Sequence, residues 1–203
     1  MFIRGFRNSL ALALLLAAGS AGAQQLSDKQ LIASLGQAAR AAPIVDVGLL
    51  VQEVNANVGK GVATLPNWSQ LANLAQLAVE IDFENDSIAI EPASYRTIGL
   101  IADALHDPRL RHYKFLVVGH TNATGKAEHN LELSLKRANA IMVALTTTFS
   151  VPANHLIAIG VGQEMPLDAT NPKAPANRRV QLINLGVQTD DASAFGDLRR
   201  PVL

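Results

Sequence analysis

The strongest constraint on the fold is the succession of strand and helix patterns between residues 77 and 185. From Val79 to Phe83, apolar and acidic residues alternate with the period of two that is typical of a half-buried strand. A helix is expected next, with Pro92 at its tolerated first turn and its end before Pro108. Its apolar stripe has helical spacing. The members of that stripe are Ile98, Ile101, Ala102 and Leu105.

A second strand and helix follow, and two more strands complete the pattern. Residues 115–118 are wholly apolar and are closed by Gly119, which predicts a strand in the centre of a sheet. Residues 128–149 predict a helix whose apolar stripe is Leu131, Leu135, Ala138, Met142 and Leu145. Strands are expected at 156–159 and 180–183. The order βαβαββ predicts an α/β fold of the α+β sandwich type, with helices packed on one mixed sheet.

The N-terminal residues have the features of an export signal. Arg4 and Arg7 precede the apolar run 10–18, and small residues follow as far as Ala23. The run is shorter than the ~20 residues that a membrane-spanning helix needs. We therefore expect an exported protein that begins at Gln24, with an uncleaved N-terminal anchor as the alternative. Because the sequence contains no cysteine, it predicts neither a lipoprotein nor a disulfide scaffold.

An N-terminal arm, residues 24–76, lies between the export signal and the first strand and is expected to be helical or irregular. A short alanine-rich helix is predicted from Ser27 to Ala42, ahead of Pro43. Trp68 is the only tryptophan in the chain. It is either part of a recognition element or a residue that covers the edge of the core.

Charge and residue types exclude several classes of function. The chain has 17 basic and 17 acidic side chains, and loss of the signal peptide would remove two of the basic ones. No basic stripe is left for a nucleic-acid partner. The five histidines lack metal-ligand spacing, and neither a cysteine nor a serine elbow offers a nucleophile. The sequence therefore predicts no enzyme activity, no cofactor and no metal site.

Four sequence blocks in the predicted domain resemble the signature of the OmpA/MotB C-terminal family. They are residues 119–125 (GHTNATG), 130–138 (NLELSLKRA), 160–166 (GVGQEMP) and 177–180 (NRRV), in the family's order. The resemblance implies an OmpA-like domain over residues 77–186, followed by a flexible tail, 187–203. It also implies a periplasmic protein that binds peptidoglycan noncovalently through the diaminopimelate of the stem peptide. An outer-membrane or envelope protein would be its second partner.

The diaminopimelate side chain ends in a zwitterion, so its site needs a cation and an acceptor. Arginine suits the carboxylate because its guanidinium can bond both oxygens at once. By the resemblance, Arg137 binds this carboxylate, Asn130 makes a polar contact and Arg178 is a second cation beside the site. Two interpretations stay open. Arg137 could instead form a surface ion pair with Glu128 or Glu132, and Arg178 could simply solvate a strand edge.

Asn122 departs from the family pattern, which has aspartate after His-Thr. An amide oxygen accepts from an ammonium without charge, and charge-assisted bonds contribute about 1.5–3 kcal/mol against about 0.5–1.5 for neutral ones. We therefore expect binding to be weaker by roughly tenfold. Asp86 is a candidate to supply the charge, because alignment with the family pattern places it on a loop of the same pocket. Alternatively, Asp86 is simply a good turn residue after a strand. The alternative function is a protein-interaction or assembly module that has lost wall binding.

Overall fold

The described part of the molecule forms one mixed sheet with helices on both faces. The computed structural model describes residues 28–36, 44–63, 65–84 and 86–187, and the backbone of residues 14–16. The helices are α1 (Asp28–Gly36), α2 (Val47–Ala56), α3 (Tyr95–His106) and α4 (Ala127–Val143). The strands are β1 (Leu14–Leu16), β2 (Gln76–Val79), β3 (Lys114–His120), β4 (Leu156–Gly160) and β5 (Arg179–Gly186).

The strands lie in the order β1-β2-β5-β3-β4. Strands β3 and β4 are parallel, while β5 runs antiparallel to both β2 and β3. The three residues of β1 pair in parallel with the outer edge of β2. From β2 onward the βαβαββ order and the mixed sheet confirm the predicted fold class. The apolar run that closes at Gly119 is a central strand, as predicted, with neighbours on both sides.

The first strand of the domain lies earlier than the alternating pattern indicates. Strand β2 ends at Val79, which pairs with Val180 near the start of β5. Beyond it the chain leaves the ladder, and Phe83 makes only an isolated bridge with Ile90. Ile81 is nevertheless buried and Asp82 exposed. The alternation therefore reflects one buried side of an extended segment rather than strand pairing.

The sequence predicted the buried residues of α3 correctly, but it predicted those of α4 only in part. All four residues of the predicted stripe of α3 are buried. In α4 the predicted stripe is wrong at Leu135, which is 41% exposed, whereas Asn130 and Ser134 are buried. Helix α4 also ends at Val143, and the rest of the predicted helix is a π-helical turn, Ala144–Thr148.

Glycines of the sheet explain why α4 has this orientation. A Cβ atom added at Gly119 would lie 2.1 Å from the backbone oxygen of Ser134. A Cβ atom added at Gly160 would lie 2.3 Å from the backbone nitrogen of Leu135. The helix backbone therefore rests directly on the sheet, and small side chains face it. Close packing of this kind leaves no signal in the apolar spacing of the helix.

The N-terminal arm contributes to the core on both faces of the sheet. Leu31 and Leu35 of α1 pack with α3 and α4, and α2 covers the opposite face. The described part of the predicted arm helix is Asp28–Gly36, and the rest of its predicted span lies outside the described residues. Trp68 is 7% exposed and its Nε1 donates to the Leu50 carbonyl at 3.3 Å, so it covers the core.

Parts of two predicted segments lie outside the described residues. The predicted signal peptide is described only at the backbone of residues 14–16, and the tail only at residue 187. Cleavage after Ala23 and the domain boundary near residue 77 stay predictions. No helix in the described ranges combines the length and the apolar character needed to cross a bilayer.

Candidate functional site

A cleft of about 520 Å³ opens where β3 ends and β5 begins. Its walls come from the segment after β2, the loop after β3, the first half of α4 and the turn before β5. The five residues singled out in the sequence all line it. They are Asp86, Asn122, Asn130, Arg137 and Arg178.

Arg137 is half-buried and is held against the turn that follows Phe83. Its Nε donates to the Ser87 carbonyl at 3.0 Å, and its Nη2 donates to the Glu84 carbonyl at 3.4 Å. The guanidinium carbon lies 4.8 Å from the centre of the Phe83 ring, which is a cation–π distance. Burial and the nearby charge of Arg178 lower the pKa of Arg137, while Asp86 acts in the opposite direction.

The ion-pair interpretation of Arg137 is wrong. Glu132 pairs with Lys136 instead, at 2.6 Å between Oε1 and Nζ. Among the described residues Arg137 has no carboxylate within ion-pair distance. Its direct contacts among the described residues are therefore carbonyl oxygens and the face of a ring, and the nearest charge of opposite sign, on Asp86, acts from beyond ion-pair distance.

Arg178 is exposed at the other side of the cleft. Its backbone N–H donates to the Pro175 carbonyl at 2.8 Å. Its guanidinium makes no hydrogen bond or ion pair with the residues that the structure describes. Arg178 is close enough to Arg137 to lower the pKa of that guanidinium. Two arginines thus share the cleft without a carboxylate bound to either of them.

Asn130 is buried beneath the loop that follows β3. Its amide nitrogen donates to the Asn122 carbonyl at 3.3 Å, the Thr124 carbonyl at 3.1 Å and Oε1 of Gln163 at 2.9 Å. All of its amide protons are therefore used inside the protein. The contacts hold the loop after β3 against the loop after β4.

Asn122 connects two loops of the cleft. Its Nδ2 donates to the Lys173 carbonyl at 2.9 Å, and the neighbouring Ala123 N–H donates to the Pro172 carbonyl at 2.9 Å. An aspartate has no proton for this bond when it is ionised. The asparagine at this position therefore makes a bond between loops that the ionised aspartate of the family pattern could not make.

Asp86 occupies a left-handed turn, with a φ of 49°. Asparagine and aspartate tolerate this conformation better than other side chains. Its Oδ1 lies 2.8 Å from Nε2 of His129, and both side chains are more than half exposed. Asp86 thus lines the cleft and forms the turn, so the two interpretations of this residue are compatible.

Comparisons with known proteins identify the family of this chain. A model described as the OmpA family matches residues 82–179, which include the five cleft residues. YfiB of Escherichia coli is 32% identical over 110 residues, which is 53% of this chain and 67% of YfiB. The chain belongs to the OmpA family. Outer membrane porin F of Pseudomonas aeruginosa is 28% identical over 113 residues, or 55% of this chain, but the match covers only 32% of the porin.

Among solved structures, the peptidoglycan-associated lipoprotein from Burkholderia pseudomallei aligns with 27% identity. The alignment has a TM-score of 0.43 and covers 51% of this chain and 87% of that one. The N-terminal arm, residues 24–76, lies outside residues 82–179, which the OmpA family model matches.

Several residues of this OmpA-family cleft were not singled out in the sequence. Phe83 carries the Arg137 guanidinium on its ring, and His129 holds Asp86. The alternating pattern marks Phe83 as inward-facing, but no local signal identifies its partner. The remaining lining residues are Glu80, Ile81, Asp82, Thr121, Thr124, Gly125 and Leu133.

Glu164 is a further residue of the OmpA-like signature with a role that its sequence position does not reveal. Its carboxylate is 2% exposed and accepts the N–H groups of Gly59 and Val62, both at 2.8 Å. The Met165 N–H donates to the Val62 carbonyl at 2.9 Å. The loop after β4 is thereby joined to the N-terminal arm.

His120, the last residue of β3, is buried beneath the cleft. It is 4% exposed, and its Nε2 lies 3.2 Å from Oε1 of Gln181. Burial, and then the charge of Arg179, hold the pKa of His120 well below its usual value, so the ring is neutral at pH 7. The described residues contain no group of three or more His, Cys, Asp or Glu side chains arranged to hold a metal ion.

Proposed function

We propose that this OmpA-family protein binds peptidoglycan noncovalently in the periplasm, through the diaminopimelate of the stem peptide. The observation that carries the proposal is the environment of Arg137. Its guanidinium is half-buried at the cleft and has no carboxylate partner among the described residues. Arg178 adds a second cation on the same cleft, and it too has no carboxylate partner in the described part of the chain.

Electrostatics favours a carboxylate as the group bound by these two arginines. Burial and mutual repulsion both oppose the charged form of Arg137. A partly buried charge is stabilised when an opposite charge with good hydrogen-bond geometry approaches it. The planar guanidinium can donate to both oxygens of a carboxylate. A ligand carboxylate would therefore relieve the repulsion and supply the missing partner.

Family membership supports the assignment of the ligand to the cell wall. The family model covers every lining residue of the cleft except Glu80 and Ile81, and porin F is an outer-membrane protein by name. We infer an envelope role in which the domain tethers the wall to an outer-membrane or envelope protein. We propose binding of the ligand alone, without a catalytic step.

A sedimentation assay with purified sacculi tests the proposal. The exported wild-type protein should pellet with sacculi that contain diaminopimelate, and free diaminopimelate at high concentration should release it. Arg137→Ala should reduce the pelleted fraction strongly. Lys136→Ala is the matched control, because it removes a positive charge from the next residue of the same helix in an exposed ion pair. Equal pelleting of Arg137→Ala and the wild type would contradict the site.

A second candidate function is a protein-interaction or assembly module. Asn122 favours it, because this position brings no charge and its amide proton is bonded to the Lys173 carbonyl. This second function would replace the first if the folded wild-type protein failed to pellet with sacculi at all.

A further inference from the structure

We infer that Asn122 is a positioning residue for Arg178, and that the cleft selects the carboxylate of its ligand rather than the neighbouring ammonium. The inference rests on the proposed binding of diaminopimelate. It concerns which half of the zwitterion determines affinity in this chain.

The first step is the attachment of the loop that carries Arg178. Asn122 and Ala123 bind the Lys173 and Pro172 carbonyls, each at 2.9 Å. Asn177, which is fully buried, donates to three carbonyls of the same loop at 3.0–3.2 Å. Arg178 follows directly after Asn177. The contacts of Asn122 therefore reach the loop that leads to this guanidinium.

The second step concerns the chemistry of the substituted position. The side chain of Asn122 acts as a donor to a backbone carbonyl, and an ionised carboxylate can only accept. An aspartate in the same place would bring two acceptors together at the Lys173 carbonyl. This chain therefore gains a bond between loops at the position where the family pattern has a charge.

The third step is the distribution of the remaining charges. The charged or titratable side chains that line the cleft are Glu80, Asp82, Asp86, His129, Arg137 and Arg178. Asp86 is already bound by His129 at 2.8 Å, so an ammonium would compete with His129 for it. Of these three carboxylates only Asp86 affects the pKa of Arg137, so Glu80 and Asp82 lie farther from the guanidinium at which the ligand carboxylate would bind. Neither arginine has a carboxylate within ion-pair distance among the residues that the structure describes.

Three small probes test the selectivity with the wild-type protein in titration calorimetry. All three probes have the amine and the carboxylate of the L-centre blocked, as they are in the stem peptide. They are meso-diaminopimelate, 2-aminopimelate, which lacks the second ammonium, and diaminopimelate amidated at the D-centre, which has no free carboxylate. We expect the first two to bind within about threefold of each other. The amidated probe should bind at least about tenfold more weakly, because it cannot form a charge-assisted pair with arginine. A loss of tenfold or more with 2-aminopimelate would overturn the inference.

Variants at position 122 test the positioning role. Asn122→Ala should weaken diaminopimelate and 2-aminopimelate by the same factor, about threefold to tenfold, which corresponds to one neutral hydrogen bond. Asn122→Asp should give no gain in affinity. If Asn122→Ala weakened only diaminopimelate, or if Asn122→Asp tightened it about tenfold, Asn122 would be an ammonium acceptor and the inference would be wrong.

A double-mutant cycle separates positioning from general loss of structure. Asn122→Ala should be non-additive with Arg178→Ala, because both act through one loop, and additive with Arg137→Lys, because Arg137 is held by the turn after Phe83. Additivity with both arginines would contradict the role. If Asn122→Ala failed to fold, binding of the three probes to the wild-type protein would by itself decide whether the carboxylate or the ammonium determines affinity. Failure of the wild type to bind any probe or to pellet with sacculi would overturn the proposed function itself.

Discussion

Two groups of polar residues surround the loops at the end of β3. They differ in burial and in whether the side chains are fully bonded within the protein. The loop-holding group, Asn130, Ser134, Glu164 and Asn177, is at most 4% exposed and bonded to backbone groups. The cleft group, Arg137 and Arg178, is half-buried or exposed and has no carboxylate partner in the described chain. Both groups belong to the family signature. A signature residue can therefore serve the shape of the loops or the ligand, and burial with bonded partners separates the two.

The largest effect is expected from the packing beneath both groups. Gly119→Ala would place a Cβ atom 2.1 Å from the Ser134 backbone oxygen, so helix and sheet would have to separate. We expect a loss of about 3 kcal/mol or more in the free energy of unfolding, measured by urea denaturation. Gly36→Ala, whose new atom would lie 3.8 Å from Leu110, is the control and should change little. Equal stability of the two variants would contradict the close packing.

The next effect is expected within the loop-holding group. Glu164→Ala would leave the N–H groups of Gly59 and Val62 without their acceptor. Hydrogen bonds to a charged group contribute about 1.5–3 kcal/mol each, so we expect the unfolding free energy to fall by about 2–3 kcal/mol or more. Glu132→Ala, which removes an exposed ion pair, should cost less than about 1 kcal/mol. Similar losses from both variants would contradict a structural role for the buried Glu164 carboxylate.

The cleft group should respond in affinity rather than in stability. Arg137→Lys keeps the charge but loses the planar fork and its contact with Phe83. We expect diaminopimelate binding to weaken about tenfold, with a change in unfolding free energy below about 1 kcal/mol. Calorimetric titration and thermal unfolding of the same samples measure both quantities. A large loss of stability with unchanged affinity would move Arg137 into the loop-holding group.

The smallest effect concerns the pH dependence of His120 beneath the cleft. Burial lowers the pKa of its folded form, so below the unfolded pKa of about 6.5 the unfolded chain binds a proton that the folded protein does not. Stability should therefore fall as the pH decreases from 6.5, by at most about 1.4 kcal/mol per pH unit from this residue. His120→Asn should reduce the difference in unfolding free energy between pH 7 and pH 5.5. An unchanged difference would contradict the assignment.

The sequence predicted the order of the elements and the residues that meet at the cleft. Periodicity was sufficient for α3 and for the central strand β3, because apolar burial determines both. It failed for α4, where glycines in β3 and β4 allow backbone contact and Ser134 faces the sheet. It also extended the first strand too far, because alternation continues beyond Val79 although strand pairing does not.

The contacts between distant loops could not be predicted from the sequence. The bond from Asn122 to the Lys173 carbonyl joins residues 51 positions apart. The bond from Glu164 to Gly59 joins residues 105 positions apart. Neither partner is marked by spacing, since a backbone N–H or carbonyl is present at almost every residue. Asn122 and Arg137 are therefore distinguished by their contacts and not by their positions in the sequence.

The attachment of the arm at Glu164 has a mechanical consequence. If a partner pulls on the arm while the cleft holds the wall, tension in residues 57–62 passes to Glu164 through two hydrogen bonds. From there it reaches the loop after β4, whose Gly162 carbonyl binds the Thr121 N–H at 2.8 Å. Thr121 directly precedes Asn122. One route for force between the arm and the loops of the cleft therefore runs through these hydrogen bonds.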